Sequence, residues 1–315
     1  MKFVIVGAGA IGRLFGTMLC RGNHEVTFVE PLPEVVDAIN QQGIGIMGME
    51  SEDSSNVSLV QAKAVSNAQE ISSCDFTFLA VKSYNTLPAT KSISHLVSED
   101  SPILTLQTGL DNIEVIEKIV PKSAILGGYT FMGGTALGPG IVRLGGTGKT
   151  YIGELDGSFS PRLEKLHTAL NDSKVETEMV ERIIGRLWCK VIVFSAINPV
   201  AAIVRQRNGL LLEKIESVNL MKRLIDEGKA VADACSIDLV YHELYDILYE
   251  SCKRTANNLS PMLQDLINDK RTEIDSLNGA LCRYGAKKGL SLPTHHTVIQ
   301  IIKLLEKWGH FYEQG

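Results

Sequence analysis

At 315 residues, 44% of them hydrophobic and 21% charged, the chain suits two domains and can bury a large core. Its net charge of −5, without a long run of Lys or Arg, argues against nucleic-acid partners. Cys20, Cys74, Cys189, Cys235, Cys252 and Cys282 have no C-x-x-C spacing, so they read as thiols of a reducing compartment and not as metal ligands. The chain enters its first strand at Lys2, and the expected location is the cytoplasm.

The apolar run Phe3 to Val6 leads into Gly7, Gly9 and Gly12 in G-x-G-x-x-G spacing. A helix carrying Leu14, Phe15, Met18 and Leu19 follows, and a strand over residues 25–30 closes the unit with Glu30. In that context the glycines have mechanical roles: Gly7 makes the tight turn, Gly9 lets backbone approach a pyrophosphate, and Gly12 lets helix and strand pack closely. The phosphates would rest on the unpaired N–H groups at the helix start, around Ala10, Ile11 and Gly12. Glu30 stands about 20 residues past the glycines, where an acid accepts hydrogen bonds from the ribose of NAD. The other reading of Glu30 is a solvated strand-end acid.

After Pro31 and Pro33 the pattern predicts a short helix to Ile39, then strand-like pieces at 43–47 and 57–60 around a polar turn at 51–56. Residues 75–81, DFTFLAV, read as a strand buried on both faces, followed by Lys82, Ser83, Tyr84 and a helical stretch to Val97. Residues 102–107 form another buried strand, leading to Thr108-Gly109 and a helix near 111–119. Strands alternating with helices predict an α/β fold with a doubly wound parallel sheet of Rossmann type. Ligands bind beyond the carboxyl ends of such strands, which places Lys82 and Thr108 at the cofactor edge. Residues 145–150, GGTGKT, imitate a phosphate loop. Arg143 stands where its first glycine is needed, and Tyr151-Ile152-Gly153 continues as a strand, so a hairpin extending the sheet is expected.

From about residue 178 the period is helical, giving a dinucleotide-binding domain over 1–177 and an all-helical substrate and catalytic domain over 178–315. The run 187–204 contains one ionisable group, Lys190, and its polar Ser195, Asn198 and Pro199 favour a buried core helix over a membrane span. Pro199 bends or ends that helix. A lysine there is expensive unless it has a partner or a task; otherwise its stem lies along the helix surface. Asn198 falls two turns further on, roughly on the same side, where it could hold a substrate oxygen. In the segment 271–279, Glu273 is either the counter-charge for Lys190 or a first-turn acid of a helix with an Ile274, Leu277 and Leu281 stripe. His295 and His296, after Pro293, read as surface.

The chain resembles ketopantoate reductases (2-dehydropantoate 2-reductases) along nearly its whole length. The resemblance lies in GAGAIG, VKSYNT, the Q-x-G-x-x-N of Gln107 to Asn112, W-x-K at Trp188 to Lys190, Asn198-Pro199, and MLQD followed by TEIDSLNG. It implies a reductase that moves a hydride from NAD(P)H to the carbonyl of a 2-oxo acid. It puts the catalytic pair on Lys190 and Glu273, a substrate contact on Asn198 and a cofactor-side lysine on Lys82, and it makes Thr108 and Ser260, at or beside two altered positions, further candidates for the substrate. Thr108, Phe194 and Pro261 replace two asparagines and a serine of the family pattern, with Ser260 beside the last. Those departures point to a more apolar 2-oxo acid, or to a dinucleotide-binding sensor without turnover. The resemblance favours NADP, whereas Glu30 and Pro31, at the place of the family's arginine, favour NAD. The expected partner is a small-molecule 2-oxo acid, with no metal, nucleic acid or membrane; a homodimer is left open.

Overall fold

The apolar runs at Phe3, Phe76 and Ile103 become neighbouring parallel strands. The computed structural model describes residues 1–49, 57–241 and 243–308, so the turn expected at 51–56 lies outside the described residues. The chain divides into two units, Met1–Gln107 with Asn112–Ile183, and Thr108–Asp111 with Ile184–Gly315.

The strands of the first unit are β1 (Lys2–Val6), β2 (Glu25–Val29), β3 (Ile44–Met47), β4 (Leu59–Val60), β5 (Lys63–Val65), β6 (Phe76–Leu79), β7 (Ile103–Thr105), β8 (Ile125–Thr130), β9 (Gly133–Ala136), β10 (Ile141–Gly146), β11 (Thr150–Glu154) and β12 (Thr177–Met179). Eight of them form one sheet in the order β12-β11-β8-β7-β6-β1-β2-β5, parallel except for the β8–β11 pair. The helices are α1 (Ala10–Arg21), α2 (Pro33–Gln42), α3 (Thr86–Ile93), α4 (Asn112–Glu117) and α5 (Pro161–Asp172). Continuous apolar strands are needed because both sheet faces are covered. Phe3, Ile5, Phe76, Phe78 and Leu104 join one core, with Phe15 and Leu19 of α1. Their strand neighbours Val4, Val6, Leu79 and Ile103 join the other, with Ile93 and Ile116 of α3 and α4.

A second sheet, in the order β4-β3-β10-β9, was not legible in the sequence. It packs on α1, with β3 pairing in parallel with β10 across nearly a hundred residues. It also corrects the hairpin expected at 145–150. β10 belongs to this small sheet and β11 to the large one, so the glycine-rich residues between them cross from sheet to sheet. Turn composition announces a reversal but does not choose the partners of the strands on either side.

The second unit holds α6 (Ile183–Val204), α7 (Ile215–Ala234), α8 (Leu244–Arg254), α9 (Pro261–Ile267), α10 (Asn278–Lys287) and α11 (Pro293–Trp308). The 22-residue α6 is its core helix: Val191, Ile192, Val193, Ala196, Ile197 and Val200 are buried with Met221, Leu224, Leu281 and Ile302. It continues through Pro199 to Val204. Two expectations are corrected here. Glu273 lies in a turn before α10, whose helical residues begin only at Asn278, so it is not a first-turn acid. His296 is exposed as expected, but His295 is fully buried, because both its ring nitrogens have partners inside the unit.

In the first unit Glu154 of β11 is only 6% exposed, and Arg162 of α5 reaches it through Nε at 2.8 Å and Nη2 at 2.6 Å. Removing one partner of a buried pair strands the other charge. Arg162→Met is therefore expected to cost about 3 kcal/mol or more. Thermal unfolding checks this; an unchanged Tm would make the pair incidental.

Candidate functional site

The glycine turn of the first unit has the shape a dinucleotide requires. Gly7 has φ of +98°, and a Cβ there would lie 2.8 Å from the Val81 side chain. A Cβ on Gly12 would lie 2.1 Å from the Gly7 carbonyl oxygen, which fixes how closely α1 approaches β1. One on Gly9 would meet nothing within 4 Å, so this face of the turn is open to a ligand. Among the described residues α1 has no side-chain cap and no acid in its first turn, which leaves the N–H groups of Ala10, Ile11 and Gly12 and the positive helix end to an anion. These residues fit a pyrophosphate.

Glu30 is not a solvated strand-end acid. Its Oε2 accepts the backbone N–H of Ala8, inside the glycine turn, at 2.8 Å, and its Oε1 accepts that of Leu32 at 3.3 Å. Pro31 beside it is exposed and brings no cation. Arg13, which sequence reading passed over, is 5% exposed and donates to the carbonyls of Gly138 and Ile141, tying α1 to the small sheet. Burial lowers its pKa and Glu30 opposes that.

Lys82 follows β6 by three residues and precedes a short 3₁₀ turn, Ser83–Asn85. Below it, Gln107 Nε2 donates to the Val81 carbonyl and to Thr86 Oγ1, both at 2.8 Å, and Thr86 Oγ1 donates to Asn112 Oδ1 at 2.9 Å. The Gln and Asn of Q-x-G-x-x-N thus hold the ends of β6 and β7 to the starts of α3 and α4. Thr86, at the centre of that network, is the last residue of VKSYNT, but the motif alone does not say what its hydroxyl holds.

In the second unit α6 carries Lys190 and Asn198. Burial pushes the pKa of Lys190 down to about 8, with Glu273 acting against it, so the two are electrostatic neighbours. The ammonium also lies 5.7 Å from the centre of the Phe194 ring. Asn198 is 4% exposed, and its Oδ1 has no hydrogen-bond partner among the described residues. A buried acceptor without a donor is costly unless a ligand supplies one. Thr108 belongs to a loop tied to the Glu273 turn: the Leu110 N–H donates to the Ser276 carbonyl at 3.3 Å, and Arg283 joins Asp111 at 2.5 Å to the Asp275 carbonyl at 3.0 Å. Ser260 departs from its expected part. It is fully buried, its hydroxyl caps α9 through the Leu263 N–H and donates to the Asn198 carbonyl at 3.2 Å. The following Pro261 sits in the first helical turn, where its missing N–H costs nothing. Ser260 therefore holds the backbone of Asn198 instead of offering a free hydroxyl.

Residues 3–157 match the family described as ketopantoate reductase PanE/ApbA, and residues 182–306 match its C-terminal part. The chain belongs to the ketopantoate reductase family. It is 32% identical over 303 residues to the 2-dehydropantoate 2-reductase of Pyrococcus abyssi, covering 96% of this chain and 97% of that one. The 2-dehydropantoate 2-reductase of Archaeoglobus fulgidus is 30% identical, with the same coverage. Among solved structures, D-mandelate dehydrogenase in its ternary structure with NADH and anilino(oxo)acetate superposes with a TM-score of 0.91 at 25% identity, covering 98% of this chain and 99% of that one. The ketopantoate reductase of Ralstonia eutropha JMP134 gives 0.87 at 26% identity, with equal coverage. Like its family, the chain is a nicotinamide-dinucleotide-dependent oxidoreductase.

If Lys190 is the acid of a reduction, its proton is present below its pKa and lost above it. Turnover in the reductive direction is expected to fall as pH rises through about 8. Glu273→Gln removes the charge that holds this pKa up and is expected to move the falling limb to lower pH. The pH dependence of kcat checks both, and a limb that stays in place would assign the titration to another group.

Proposed function

We propose that the protein reduces the carbonyl of a 2-oxo acid to a 2-hydroxy acid, with ketopantoate the first candidate and NADH favoured over NADPH. The observation that carries the reading is the half-buried lysine with a pKa near 8 beside Glu273, on the same helix as Asn198, whose Oδ1 has no hydrogen-bond partner among the described residues. The dinucleotide supplies the hydride when bound. Charge then develops on the carbonyl oxygen, and Lys190 stabilises that oxygen and gives it a proton. Glu273 keeps the ammonium charged and oriented, and Asn198 fixes the substrate. Thr108 serves the substrate in the second unit, and Lys82 the cofactor in the first. Six free cysteines suit a cytoplasmic enzyme. Lys190→Met is expected to leave NADH binding intact and to lower kcat by roughly two to four orders of magnitude. A variant that keeps most of its rate sinks the assignment, and cofactor binding without turnover on any 2-oxo acid would make the protein a sensor.

A second reading of the substrate rests on Phe194, whose ring lies 5.7 Å from the Lys190 ammonium and is only partly buried. With the Ser260 hydroxyl already committed and Pro261 offering none, discrimination against apolar side chains weakens. The similarity to D-mandelate dehydrogenase agrees with this. Aromatic and branched 2-oxo acids are expected to be reduced beside ketopantoate. Comparing kcat/KM across such a panel decides it, and a strong preference for ketopantoate removes the relaxed pocket.

For the cofactor, a 2′-phosphate approaching Glu30 would meet a carboxylate already directed at the glycine turn. Like charges about 4 Å apart repel by roughly 1 to 4 kcal/mol, according to how wet the site is. The unmodified protein is expected to show a higher kcat/KM with NADH, and Glu30→Ala with Pro31→Arg to shift preference toward NADPH. A clear NADPH preference in the unmodified protein would mean that Lys82 or another cation outweighs Glu30.

A further inference from the structure

In an α-helix the carbonyl of residue i accepts the N–H of residue i+4. In α6 the carbonyl of Ser195 faces Pro199, which has no N–H and whose ring crowds that carbonyl. The helix nevertheless runs on to Val204, and residues 195–200 are buried, where an unmatched carbonyl is costly.

The missing donor comes from elsewhere in the fold. Nδ2 of Asn278, the first residue of α10, donates to the Ser195 carbonyl at 2.8 Å. The second hydrogen of the same amide faces Nδ1 of His295 at 3.0 Å. His295 Nε2 lies 2.9 Å from the Leu224 carbonyl of α7, so the tautomer with its proton on Nε2 satisfies both neighbours. Asn278 and His295 are each fully buried. The start of α11 is fixed in turn by Glu227 of α7, which accepts the backbone N–H groups of Thr294 at 2.9 Å and His295 at 3.1 Å.

We propose that Asn278 and His295 are positioning residues: a relay that replaces the hydrogen bond lost at Pro199 and so sets the turn of α6 that carries Asn198. Asn198 lies between Ser195 and Pro199, so the path of the backbone there decides where its side chain points. From the other side the Ser260 hydroxyl holds the carbonyl of Asn198 itself. His295 keeps the Asn278 amide facing Ser195, because only its Nδ1 is an acceptor. The inference rests on the reading that Asn198 holds the 2-oxo acid.

The test is a double-mutant cycle on the full-length protein. Asn278→Leu removes the donor and is expected to lower kcat/KM for the 2-oxo acid by roughly 10- to 100-fold, as misplacement of a substrate-holding group does. The affinity for NADH, read by fluorescence, is expected to stay near that of the unmodified protein. Pro199→Ala restores an N–H at the gap, so in that background Asn278→Leu is expected to cost little in kcat/KM or in Tm. A full loss in both backgrounds, a folded Asn278→Leu with unchanged kcat/KM, or a double variant as poorly folded as Asn278→Leu alone overturns the proposal. For the second member, His295→Phe is expected to resemble Asn278→Leu, and His295→Asn, which keeps an acceptor on that side chain, to recover most of the loss. A His295→Phe enzyme that behaves as the unmodified one removes His295 from the relay. Lys190→Met measured alongside separates the two readings: if it keeps its rate, the site assignment fails, whereas the coupling of Asn278 to Pro199 is still read in Tm.

Discussion

An ammonium inside an apolar helix is the constraint on which the second unit depends. α6 is buried nearly all round, so its polar groups need partners in the interior, and Asn198 Oδ1 is one that has none among the described residues. Lys190 has Glu273 as its electrostatic neighbour, the Ser195 carbonyl has Asn278, and the Asn198 carbonyl has Ser260. These three needs bring the turn before α10, the start of α10 and the start of α9 to one helix. Hydrophobic burial alone would hold α6 in the core without choosing its rotation or register. The polar partners make that choice, which is why the candidate catalytic residues and the buried structural ones lie within one stretch of chain.

The first unit obeys a different constraint, the close passage of backbone past backbone at the glycine turn. Gly12 has no room for a side chain against Gly7, while Gly9 has open space before it. The same turn anchors Glu30 through the Ala8 N–H, so the acid proposed to bear on cofactor choice is held by the loop that would receive the phosphates. Arg13 extends the arrangement by joining α1 to carbonyls beside the small sheet, at the cost of burying a guanidinium.

Lys190 also shows why a lowered pKa and a counter-charge belong together. Burial alone disfavours the charged form, and a lysine pushed far enough down would hold no proton to give at neutral pH. Glu273 opposes burial, and the result near 8 leaves the group charged at pH 7 yet readier to release its proton than an exposed lysine. Phe194 adds the face of an aromatic ring to the same ammonium, an attraction that needs no hydrogen-bond acceptor.

Local chemistry made much of this protein legible from its residues. The strand, glycine turn and helix of 2–21 follow from period and spacing, and the buried strands at 76–79 and 103–105 from their apolar runs. The cost of placing Lys190 in an apolar helix singled it out before any geometry was known. The sequence also held, unread, the statement that Pro199 leaves the Ser195 carbonyl without its donor, since that follows from proline chemistry alone. Which residue answers it did not follow, because Asn278 lies 83 positions away and its partner His295 another 17. For the same reason His295 passed for a surface histidine, Ser260 for a free hydroxyl and residues 145–150 for a simple hairpin. Period and propensity act over a few residues; hydrogen-bond partners, strand pairing between β3 and β10, and the burial of a single imidazole are decided by chain segments that meet only when the core closes.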